Sequence, residues 1–141
     1  MNCMSKSFLL VSCVVSVMST SADVAYPECK EAHRLPRLTR IKLINEIVDI
    51  IDHGKPIPRY ECLLEEKAYG YLTKCNQTCY HEQNYTNLCH RSGKSSGSIQ
   101  AAVRSWSKTL KEIAVEVKYG CNRSTDKKTL VCILDHIVEC K

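Results

Sequence analysis

Ser98–Tyr119 reads SIQAAVRSWSKTLKEIAVEVKY, and its apolar residues Ile99, Val103, Trp106, Leu110, Ile113 and Val117 recur at intervals of four, three, four, three and four. That spacing places all six on one stripe of an α-helix. Gly97 and Ser98 offer an N-cap, Gly120 a left-handed position past the last turn, and Lys118 a cation where the macrodipole favours one. The stretch therefore predicts one long helix. Burying six such side chains is worth roughly 10 to 15 kcal/mol, less than the roughly 20 kcal/mol of backbone entropy its ordering costs, so the helix requires partners. Arg104, Lys108, Lys111 and Lys118 form a basic stripe on its opposite face.

Three further segments carry a helical period. From Arg37 to His53, Leu38, Ile41, Ile44, Val48 and Ile51 form a stripe widened by Leu43, Ile47 and Ile50, with Lys42, Glu46, Asp49 and His53 opposite. Gly54, Pro56 and Pro58 stop that helix, and an extended connector runs on to Glu61. Leu64, Ala68, Tyr71, Cys75 and Cys79 predict a second helix from about Cys62 to His81, weakened by Gly70. A loop is expected over 82–96, and a connector over 120–126. In a last helix from about Lys127 to Cys140, Leu130, Ile133, Leu134 and Ile137 point inward and Cys132 outward. Four amphipathic helices without a convincing strand predict an all-α four-helix bundle.

Residues 1–22 read as a secretory signal peptide: a short charged start, an apolar run from Phe8 to Met18 too brief to span a bilayer, and small residues before a cleavage site after Ala22. Residues 23–141 then form a single secreted domain with no membrane insertion. Cys3 and Cys13 leave with the leader, and Cys29, Cys62, Cys75, Cys79, Cys89, Cys121, Cys132 and Cys140 remain as a disulfide framework whose connectivity the sequence leaves open. Cys75 and Cys79, four apart on one helical face, are expected to join different neighbours. No Cys-x-x-Cys or matching Cys/His pair supports a metal. Sequons at Asn76, Asn84 and Asn122 predict glycosylation. The net charge of +5, one unit of it on Lys6 in the leader, is too mild to indicate nucleic acid.

Catalytic signatures are missing. There is no Gly-x-Ser-x-Gly or His-Glu-x-x-His, and Gly93-Lys94-Ser95 lacks the upstream glycine of a phosphate-binding loop. His33, His53, His81, His90 and His136 read as surface residues, and the carboxylate pairs Glu65 with Glu66 and Asp49 with Asp52 as helix-surface charges. The expectation is a non-enzyme without cofactors.

Leu43-Ile44-Asn45-Glu46-Ile47-Val48-Asp49-Ile50, the Gly54–Pro58 connector and the placement of Cys29, Cys62, Cys89, Cys121 and Cys140 resemble the interleukin-4 and interleukin-13 group of short-chain helical cytokines. That resemblance implies an up-up-down-down bundle and a monomeric immune-regulatory cytokine that brings cell-surface receptor chains together. It implies a receptor face of Glu46 and Asp49 on the first helix with Arg104, Lys108 and Lys111 on the third. It implies disulfides Cys29–Cys140, Cys62–Cys89 and Cys79–Cys121, which leaves Cys75 with Cys132. The alternative is a secreted helical carrier of small ligands, since Cys75, Cys79, Cys121, Cys132 and Cys140 approach the spacing of insect odorant-binding proteins.

Overall fold

The computed structural model describes residues 24–76, 78–93 and 97–140, and the expected leader lies outside them. In chain order come helix α1 (Arg37–Ile50), strand β1 (Arg59–Tyr60), helix α2 (Cys62–Tyr69), a 3₁₀ turn (Leu72–Lys74), and strands β2 (Cys79–Glu82) and β3 (Tyr85–Arg91). Helices α3 (Ile99–Ser105) and α4 (Ser107–Lys111) follow, then strands β4 (Lys118–Arg123) and β5 (Thr129–Leu134). The all-α bundle with its up-up-down-down order is thus replaced by a mixed α/β fold.

The sheet runs β1-β4-β5-β3-β2, with β1 parallel to β4 and the other pairs antiparallel. Side chains of β5 alternate between two cores. Leu130, Cys132 and Leu134 join Leu43, Ile44, Ile47, Val103, Trp106 and Leu110 on the α1, α3 and α4 side. Val131 and Ile133 join Leu64 and Ala68 under α2. A strand covered on both faces is a continuous apolar run, which periodicity cannot distinguish from a buried helix. That is why Thr129–Leu134 reads as part of a last helix yet pairs as the central strand, with Cys132 buried rather than projecting outward.

All six stripe residues of the opening stretch are buried, but the helix breaks. Its cap at Ser98 is present, the Oγ accepting from Ala101 N. The first interruption is at Trp106, whose backbone lies at φ −98°, ψ 4°. There Ser105 Oγ donates to Ala102 O at 2.6 Å and Trp106 Nε1 donates to Cys89 O at 3.3 Å. Serine back-bonding weakens the helix, and a buried indole needs its acceptor. Past Lys111 the chain extends, and Val117, Tyr119 and Cys121 are buried at a period of two. A spacing of four fits both periods, so Ile113 and Val117 support a strand approach as well as a helix. Gly120 stands within β4 and does not end a helix.

The second expected helix also stops short. Only Cys62–Tyr69 is α-helical, and after Gly70 the chain turns into a hairpin, with Gln83–Asn84 joining Glu82 to Tyr85 and Gln83 at φ 55°. Within the expected 82–96 loop lies β3, whose Thr86, Asn87, Leu88 and Cys89 are buried. Helix α1 is close to expectation, but its inward face is Arg40, Leu43, Ile44 and Ile47, while Leu38 is 80% exposed.

All eight cysteines pair, as Cys29–Cys62, Cys75–Cys89, Cys79–Cys140 and Cys121–Cys132. Cys75 and Cys79 do join different neighbours, but the three pairs implied by the cytokine resemblance are overturned, and so is the Cys75–Cys132 pair that they left over. The sheet decides the pairing: Cys121 and Cys132 face each other directly in the β4–β5 register, with Cα atoms 4.0 Å apart. Cys140 ends beside β2, where Cys79 takes it, and Cys29 closes on the first residue of α2. Each bridge is worth roughly 3 to 4.5 kcal/mol in the chain-entropy model.

Gly120 sets the distance between sheet and helix. A Cβ at this position would fall inside van der Waals contact of Glu65 N, the Leu64 carbonyl carbon and Glu61 O, all backbone atoms of α2 or its cap. Gly120→Ala should therefore cost at least about 3 kcal/mol, read as a Tm lower by roughly 10 °C or more. Gly93→Ala, which meets nothing within 4 Å, should leave Tm unchanged.

Candidate functional site

The densest polar cluster gathers around Glu65, whose residue is fully buried although the sequence presents it as a surface charge. Helix α2 turns this side chain inward beside Leu64 and Ala68, toward the β1 edge of the sheet. Its Oε1 accepts from Leu35 N at 2.8 Å and Arg40 Nη2 at 2.9 Å, and its Oε2 from Arg40 Nε at 2.6 Å and Tyr60 OH at 2.5 Å. A carboxylate has about four acceptor positions, and all four are occupied. Arg40 Nη2 also donates to Leu35 O at 2.8 Å and Nη1 to Pro27 O at 3.3 Å. The bond to Glu65 raises the Arg40 pKa, and burial together with the Glu65 charge pushes the Tyr60 hydroxyl well above its ordinary range. Arg40 and Tyr60 therefore stay protonated, and the cluster has no group available to a substrate.

One sequence signal points to this clamp. Arg40 recurs with Leu43, Ile44 and Ile47 at helical spacing, so an arginine occupies the apolar face of α1, where only a buried acid would hold it.

Adjacent Glu66 faces outward. Its Oε1 lies 2.7 Å from His33 Nδ1 and its Oε2 accepts from His33 N at 2.9 Å, while the His33 ring stacks on Tyr69 at 3.8 Å. Those His33 hydrogen bonds lower the Glu66 pKa. The pair is half-exposed, and its evident role is to dock the N-terminal arm on α2. A second pair, His90 Nδ1 and Ser105 Oγ at 3.3 Å, resembles a nucleophile with its base. However, the serine proton already goes to Ala102 O, and burial lowers the His90 pKa. A hydroxyl committed to a backbone carbonyl at 2.6 Å is not held toward the imidazole at 3.3 Å as an activated nucleophile would be. Cys29, Glu31 and Cys62 bring three ligand-type atoms together, but both sulfurs are spent in a disulfide.

The sequence-derived receptor residues lie on neighbouring elements: Glu46 and Asp49 on α1, Arg104 on α3, and Lys108 and Lys111 on α4, all at least partly exposed. The break at Trp106 leaves Arg104 on α3 and Lys108 with Lys111 on α4, and Lys118 of the expected basic stripe opens strand β4 instead.

Of the sequons, Asn76 and Asn84 are exposed. Asn122 is buried at 3% exposure, and its Nδ2 donates to His33 O at 2.5 Å and Glu65 O at 3.0 Å, a setting that disfavours a glycan there in the folded chain. The amide nitrogen that would carry the sugar instead ties the arm to α2. Peptide mass spectrometry of the protein secreted by eukaryotic cells should find glycans at Asn76 and Asn84 and none at Asn122.

Residues 28–134 match the family model described as ASPRs, Ancylostoma-associated secreted protein related. Among solved structures, the hookworm platelet inhibitor aligns with a TM-score of 0.52 at 16% identity, covering 83% of this chain and 78% of that one. At that identity the likeness is one of fold. NaASP2 with Zn2+ aligns with a TM-score of 0.44 at 13% identity, covering 76% of this chain and 83% of that one. No curated protein matches. These findings overturn the interleukin-like cytokine and the odorant-binding-type carrier, and the receptor role of Glu46, Asp49, Arg104, Lys108 and Lys111 goes with the resemblance that supplied it. The match over residues 28–134 shows that the chain belongs to the ASPR family of secreted-protein-related chains.

Proposed function

We propose that the chain is a secreted, non-catalytic protein that acts by binding an extracellular partner through its surface. The observation that carries this reading is the Glu65 clamp: among the described residues, the most concentrated set of ionisable groups is sealed and fully hydrogen-bonded, and it serves as framework. Four disulfides suit an oxidising compartment, and the family is described as secreted. No helix among the described residues is long and apolar enough to cross a membrane. The hookworm platelet inhibitor, of similar fold, is itself named for an effect on platelets.

Expression in eukaryotic cells with residues 1–22 in place tests the reading. The protein should reach the medium with Asp23 as its first residue, as a monomer. It should bind extracellular matrix or cell surfaces saturably, lose that binding on disulfide reduction, and turn over none of a panel of peptide, ester and glycoside substrates. Retention in the cell, or turnover of any substrate by the purified protein, would contradict it.

A further inference from the structure

The β4–β5 turn and the end of β3 gather cations away from the clamp. Arg91 ends β3 and pairs in register with Thr129, Arg123 ends β4 and pairs with Leu130, and Lys127 and Lys128 occupy the turn between. Neighbouring strands lie about 4.8 Å apart and residues rise about 3.4 Å along them, so these backbones fall within roughly 10 Å of one another.

The turn is held in place. Ser92 N donates to Lys128 O and Gly97 N to Lys127 O, both at 2.7 Å, and Lys127 takes the left-handed conformation at φ 60°. Glycine at 97 permits this approach, since a Cβ there would lie 2.9 Å from Lys127 O.

Asp126 lies among these cations, its pKa lowered first by the bond from Ser124 Oγ at 2.5 Å, then by that from Lys128 N at 3.0 Å and by the Lys128 and Arg91 charges, so one carboxylate offsets part of the patch. Arg123 is half-buried, and its Nη2 donates to a neutral acceptor, Gly97 O, at 2.7 Å. Its pairing with Leu130 turns it to the face of the sheet opposite Arg91, so it anchors the turn and stands outside the patch. No ion pair within 4 Å involves Arg91, Arg123, Lys127 or Lys128 among the described residues.

The chemistry around the patch selects among polyanions. Among the described residues the exposed large apolar ones are Tyr26, Leu38, Leu63, Tyr69, Val115 and Ile137, none of them in this end of the sheet. The patch therefore offers no aromatic platform for stacking bases and no apolar wedge for entering a bilayer. What it offers is guanidinium and ammonium groups on a fixed backbone, which suits sulfate esters along a linear chain.

We propose that Arg91, Lys127 and Lys128 form a docking surface for a sulfated polysaccharide. The proposal rests on the reading of the chain as a secreted binding protein and names its partner class.

The test is titration calorimetry of the full secreted protein with a heparin-derived oligosaccharide at 0.15 M salt. Two charge-matched variants are compared: Arg91→Gln/Lys127→Gln/Lys128→Gln, and Arg104→Gln/Lys108→Gln/Lys111→Gln. Thermal unfolding of each checks that it is folded. Wild type should bind with an affinity that falls as salt rises, the first variant at least tenfold more weakly, and the second within about threefold of wild type. Equal losses in the two variants would reduce the effect to net charge and overturn the site. So would absent binding by wild type, or equally tight binding of duplex DNA, phosphatidylserine vesicles or unsulfated hyaluronan. Failure here alongside saturable binding to another extracellular partner would leave the proposed function standing, whereas catalytic turnover would remove that function while leaving the patch to be judged by its own titration.

Discussion

Glu65 enters the interior as a carboxylate, and removing such a group from water costs several kcal/mol even after relaxation. The fold offsets that cost with two donors on each oxygen, drawn from the N-terminal arm at Leu35, from α1 at Arg40 and from β1 at Tyr60. These segments belong to different layers: α1 packs on one face of the sheet, α2 on the other, and β1 forms an edge between them. The clamp thus ties both layers around that edge, and displacing any one of the segments leaves a buried charge short of partners.

The clamp depends in turn on how closely α2 approaches β4. Gly120 provides that approach by having no Cβ, and Asn122, two residues on and on the same side of the strand, donates to Glu65 O and His33 O. The arm is then fixed three ways: through Glu65 at Leu35, through Glu66 at His33, and through the Cys29–Cys62 bridge. At the far edge of the sheet, Cys75–Cys89 and Cys79–Cys140 hold the 3₁₀ connector and the C-terminal tail to β3 and to the edge strand β2, which pairs on one side only.

The sequence identified buried residues better than it identified elements. Ile99, Val103, Trp106, Leu110, Ile113 and Val117 are all core, and the α1 region is a helix, because amphipathic spacing reports burial directly. It failed where one spacing serves two periods, at Ile113 and Val117, and where a strand buried on both faces gives no alternation, in Thr129–Leu134. The disulfides were out of reach for a related reason: Cys121 meets Cys132 through sheet register, which no helical pattern contains. Glu65 and Asn122 read as a surface charge and a glycan acceptor because the sequence records their types but not the donors and acceptors that converge on them. Arg40, on an apolar face, was the one residue whose position alone contradicted exposure.

The claim that a buried ion pair organises the fold is tested most directly by a double-mutant cycle on Arg40→Met and Glu65→Leu, with stability measured by urea unfolding. Each single variant strands an unpaired buried charge or its donors and should lose about 3–5 kcal/mol. The double variant removes both charges and should be at least about 2 kcal/mol more stable than the sum of the two losses requires. Additive losses, or single losses below about 1 kcal/mol, would contradict it.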